Sequence, residues 1–73
     1  MAVLQIDNLD PDGAQIVVLW DNMRVGDSVF IPCINTTAAV RQVRGVFERR
    51  QWEFESRVRI ENNIWGIRIW RSA

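Results

Sequence analysis

A chain of 73 residues has room for one small domain, expected to span residues 1–73, and a core that buries only about 60% of the surface its unfolded form exposes. A composition 48% hydrophobic and 25% charged, with four Gly and two Pro, excludes a disordered or collagen-like polymer, and nine Arg against nine acidic residues leave no net charge to draw the molecule onto nucleic acid or membrane. The chain also has no His, Lys or Tyr and a single thiol, Cys33, so the usual catalytic proton carriers are missing and a non-enzymatic binding module without cofactor or metal is expected.

In chain order, residues 2–6 and 14–20 are β-rich and flank Asp10-Pro11-Asp12-Gly13, a turn in which Pro sets one corner and Gly takes positive φ. This predicts a hairpin or two short strands. A second turn over Met23 to Asp27, with Gly26-Asp27 at its tip, leads into a strand Ser28-Val29-Phe30-Ile31 that Pro32 closes. One helix follows. Asn35, Thr36 or Thr37 can cap it, and Ala39, Val40, Val43, Val46 and Phe47 recur down one side through about Arg50. Arg41, Arg44 and Glu48 fall on the other face, and Arg49 and Arg50 sit at the negative end of the dipole. Gly45 costs such a helix about 1 kcal/mol relative to Ala, which predicts a close approach to the sheet.

From Trp52 the period changes to two. Trp52, Phe54, Ser56, Val58 and Ile60 point one way, and Glu53, Glu55, Arg57, Arg59 and Glu61 the other. Asn62-Asn63 suits a two-residue turn with positive φ at both corners, and Ile64 to Trp70 returns as the partner strand. That loop length sets Glu61 against Ile64, Arg59 against Gly66, Arg57 against Arg68 and Glu55 against Trp70. It also puts Trp65, Ile67 and Ile69 on the core side with Ile60, Val58 and Ser56. The expected fold is α+β: a small antiparallel β-sheet with one α-helix, in the order β-β-β-α-β-β.

The candidate chemistry is mostly better explained by structure. Asn8 to Gly13 imitates the start of a calcium loop, but Leu19 stands where the bidentate Glu belongs, so a plain turn is expected. Cys33 has no His partner and reads as a buried thiol. The arginines and tryptophans stand out. Residues 1–27 hold five Asp and one Arg, whereas residues 28–73 hold eight Arg and four Glu, and each Arg offers a planar fork for carboxylate, phosphate or an aromatic ring. Arg57 opposite Arg68 predicts a repulsion that something must offset, either neighbouring glutamates or an outside partner. Arg57, Arg59, Arg68 and Trp70 on the outer sheet face, with Arg41 and Arg44 on the helix, are therefore the candidate partner-binding residues; Trp and Arg are the types most enriched at interface hot spots.

Val25-Gly26-Asp27-Ser28-Val29-Phe30-Ile31-Pro32, the Arg-bearing helix and Gly66-Ile67-Arg68-Ile69-Trp70-Arg71 together resemble small uncharacterised bacteriophage proteins. Those carry a VGDSFFVP-type strand, a basic helix and a closing GVRVWR-type strand. The resemblance covers about residues 20–71, with fewer cations on this helix and a longer acidic N-terminal extension. It implies a small phage-type regulator of a host protein. By size and class it is similar to phage proteins that bind host RNA polymerase and redirect transcription. The alternative is a nucleic-acid-binding module that uses the helix arginines and the C-terminal hairpin. No small-molecule substrate and no membrane are expected: the longest apolar run is Ile16 to Trp20, and an N-terminus without a basic, long apolar leader points to the host bacterial cytoplasm.

Overall fold

The structure, a computed structural model, describes residues 8–73. The strand expected over residues 2–6 lies outside the described residues. The elements are a 3-10 turn η1 (Trp20–Asn22), strand β1 (Ser28–Pro32), helix α1 (Thr36–Arg50), and strands β2 (Phe54–Glu61) and β3 (Ile64–Arg71). Among the described residues the strands form one antiparallel sheet in the order β1-β3-β2, with the helix on one face. The α+β class expected from the sequence is the observed one.

The hairpin register follows from its loop. Asn62 and Asn63 both have positive φ, 52° and 63°, which matches the twist of the two strands, and all four expected cross-strand pairs are present. The helix starts where Asn35 Oδ1 accepts the Ala38 N–H at 3.0 Å. It ends where Gln51 enters the left-handed region and donates its N–H to the Glu48 carbonyl at 3.1 Å. Its apolar stripe, Ala39, Val43, Val46 and Phe47, is buried against Ile31, Ile67 and Ile69 of the sheet.

Three expectations are corrected. Residues 14–20 are not a strand: a single bridge, Leu9 to Ile16, forms across the Asp10–Gly13 turn, after which the chain leaves Val17 and Leu19 exposed. Trp20 instead sinks into the core edge-on to Phe47, with ring centroids 5.4 Å apart. Burying an indole there gains more than extending a strand that has no neighbour to bond among the described residues. Gly45 does not approach the sheet; a Cβ placed on it would meet the Arg49 side chain at 3.4 Å and nothing else nearby. Finally, Val58, Ile60 and Trp65 hold the core-side phase but are 49%, 64% and 46% exposed, because the helix packs on β3 and on the Phe54 end of β2 and leaves the distal hairpin bare.

Candidate binding face

The sheet turns its second face outward, and no described element packs on it. Strand β3 runs down its middle, so alternation sets Ile64, Gly66, Arg68 and Trp70 in a central row. Glu55, Arg57, Arg59 and Glu61 flank that row on β2, and Ser28, Phe30 and Pro32 flank it on β1. The structure thus gathers Arg57, Arg59, Arg68 and Trp70 on one face. It does not bring Arg41 and Arg44 to them: both lie on the helix, beyond the other side of the sheet, with the Arg44 guanidinium 5.6 Å from the Phe54 ring centroid.

Arg68 makes the most side-chain hydrogen bonds of the arginines on this face. Its Nε and Nη2 donate to the two Glu61 carboxylate oxygens at 2.7 and 2.6 Å, its Nη1 donates to Ser28 Oγ at 2.7 Å, and its guanidinium lies 5.9 Å from the Phe30 ring centroid. The fork reaches Glu61 past Gly66, where the Phe30 ring tip takes the space a Cβ would need. The Arg68 hydrogen bonds hold the Glu61 carboxyl below the usual carboxylate range, with Arg68 and Arg59 charges adding to the effect. Arg59 also meets Glu61, at 3.2 Å. The Arg57 to Arg68 repulsion is therefore offset within the chain, chiefly by Glu61. Phe30 is the member of the face that sequence reasoning missed, whereas Glu61 is one of the neighbouring glutamates it offered; pairing β1 with β3 sets Phe30 opposite Arg68, and that long-range pairing has no local signal.

This geometry separates two arginines that the sequence treats alike. Arg57→Gln is expected to leave thermal stability unchanged or slightly higher, because it removes a like charge beside Arg68. Arg68→Gln is expected to lower it, because Glu61 and Ser28 lose their donor. Since the Glu61 carboxyl is lowered in the folded state, its contribution is complete above the ordinary carboxylate range and fades as pH falls through the lowered value. The gap between wild type and Arg68→Gln should therefore shrink in acid. Melting curves at neutral and acidic pH check this, and equal stabilities at neutral pH would contradict it.

The other candidate groups are structural. Asp12 accepts the Ile34 and Asn35 N–H groups, each at 2.8 Å, and so fastens the N-terminal turn to the start of the helix. No cluster of potential metal ligands occurs among the described residues. Cys33 is buried, and burial pushes its thiol up, with the Asp12 charge adding to the effect, so it is poorly nucleophilic. A groove of about 480 Å³ opens between residues 16–20 and β1, lined by Val18, Trp20, Met23, Val29 and Phe30 among others. Its one carboxylate, Asp27, accepts the Arg24 N–H at 3.0 Å. No described helix is long and apolar enough to cross a membrane.

The fold and this face define a small two-layer α+β domain with one open, arginine- and aromatic-bearing sheet face. No family model, curated protein or solved structure matches the chain.

Proposed function

We propose that the chain is a small non-enzymatic, phage-type regulator that binds a host protein through the outer sheet face. Host RNA polymerase is the first target to test, with transcription inhibited or redirected as the outcome. The observation that carries this reading is a sheet face that no described element covers, where Phe30 and Trp70 lie half-buried beside Arg57, Arg59 and Arg68. Planar cations interleaved with aromatic rings on a rigid sheet suit a protein surface bearing carboxylates and apolar pockets. The absence of His, Lys and Tyr from the sequence agrees with binding rather than catalysis. The phage resemblance and the host bacterial cytoplasm complete the proposal.

The placement of the arginines weighs against nucleic acid. Arg41 and Arg44 are separated by the sheet from Arg57, Arg59 and Arg68, and Glu61 offsets part of the positive charge, so no continuous basic strip tracks a phosphate backbone. Co-purification of the tagged chain from nuclease-treated host lysate, followed by titration against purified RNA polymerase, tests the reading. Trp70→Ala, in a sample with a native circular dichroism spectrum, is expected to weaken the complex by about 2 kcal/mol or more. Micromolar or tighter binding to random duplex at about 150 mM salt would instead favour the nucleic-acid module.

A further inference from the structure

β2 is one of the two edges of the sheet, β1 being the other, and from Glu53, just before the strand, the charges along one face run Glu53, Glu55, Arg57, Arg59 and Glu61. Edge strands usually deter pairing with a like-signed charge row, a Pro or a bulge. Here β2 has no Pro, unlike β1, which ends in Pro32; it pairs with β3 at eight consecutive positions, and over residues 53–59 it presents two acids followed by two bases, with the closing Glu61 already bonded to Arg59 and Arg68. Among the described residues Glu53, Glu55 and Arg57 make no side-chain hydrogen bond or ion pair. Val58 and Ile60, on the opposite face of the same strand, are exposed.

We infer that β2 pairs antiparallel with β2 of a second copy of this chain, about a two-fold axis through Ser56, to make one continuous six-stranded sheet. In that register Glu53 faces the second copy's Arg59, Glu55 faces its Arg57, and both pairs recur across the axis. No other nearby register is complementary throughout. An axis at Arg57 sets Arg57 against itself and Glu53 against Glu61; an axis at Val58 sets Arg57 against Arg59 and Glu55 against Glu61; an axis at Glu55 sets that residue against itself. The backbone agrees with the Ser56 axis. The Ser72 N–H donates to the Glu53 carbonyl at 2.9 Å, so odd-numbered residues bond to β3 and the amides of Phe54, Ser56 and Val58 face outward. Joining them supplies about six backbone hydrogen bonds, and the oppositely charged residues fall at the closer, non-hydrogen-bonded positions. On the helix side the register brings the second copy's Val58 beside Phe54 and its Ile60 beside Trp52. A groove of about 220 Å³ lies there, lined by Arg44, Phe47, Trp52 and Phe54 among others. The exposed apolar residues and the unpaired charges of β2 are thus satisfied by the same contact.

This inference goes beyond the proposed function and needs no host partner to test. Sedimentation equilibrium from low to several hundred micromolar should give a dimer for the wild type. The doubly substituted chains Arg57→Glu/Arg59→Glu and Glu53→Arg/Glu55→Arg, one now acidic and the other basic at all four of positions 53, 55, 57 and 59, should each raise the dissociation constant about a hundredfold or more. Mixed in equal amounts they should form a heterodimer. Register is read by oxidation: Ser56→Cys meets its own copy at a Cα separation of about 5.5 Å and should cross-link, whereas the more exposed Ile60→Cys faces Trp52 and should not. A wild type that stays monomeric, a charge-reversed chain that dimerises as tightly as wild type, a mixture that stays monomeric, or cross-linking at Ile60→Cys in preference to Ser56→Cys would each overturn the inference.

Discussion

Phe47→Ala is expected to remove about 3 kcal/mol or more from the unfolding free energy. The side chain is 1% exposed and forms the hub of an aromatic cluster. Its ring centroid lies 5.4 Å from Trp20, 5.7 Å from Trp52 and 4.9 Å from Phe54, the first two edge-on. The three neighbours come from the N-terminal segment, the helix exit and the first residue of β2, so truncating one ring unties three parts of the chain. A domain of this length has roughly 4–11 kcal/mol in total, so the variant should lose a large fraction of its stability and melt well below the wild type. Chemical denaturation followed by tryptophan fluorescence reads the loss directly. An unchanged midpoint would show that the helix does not close the core through this residue.

The sequence carried the elements whose causes are local. The Asn-Asn turn fixed the β2/β3 register to the residue, and with it the meeting of Arg57 and Arg68. Asn35 and the Val43, Val46, Phe47 stripe located the helix and its buried side. What was not legible depends on distance in the chain. Period-two alternation assigns Val58, Ile60 and Trp65 to the helix side of the sheet, but whether a helix covers them depends on how α1 crosses the strands. Likewise, Trp20 reads as the end of a strand until Phe47 is known to lie beside it. The partner of Arg68 was ambiguous for the same reason. Glu53, Glu55 and Glu61 all lie on the right face, and only the direction in which the Arg68 side chain extends, toward the hairpin turn, selects Glu61.

Gly66→Ala is expected to destabilise the fold by about 2–3 kcal/mol, although replacing Gly in a strand ordinarily helps by restoring backbone stiffness and side-chain packing. Gly66 is buried in the central strand, opposite Arg59 on one side and Pro32 on the other. A Cβ placed on it would run into the Ile31 carbonyl oxygen, Phe30 Cζ at 2.7 Å and Pro32 Cα at 2.9 Å. The phenyl ring could turn aside, but two of these obstacles are backbone atoms of β1, which move only if β1 parts from β3. The damage should therefore concentrate at that junction. Amide hydrogen exchange in β1 should accelerate more than exchange in β2, and the Phe30 ring should lose its place beside Arg68. Ile64→Ala, two residues earlier on the same face and half exposed, serves as the control, with little expected change. If Gly66→Ala proved as stable as the wild type, or more so, the ordinary strand penalty for Gly would govern this position, and the tight seam between β1 and β3 would not be what holds the open face in shape.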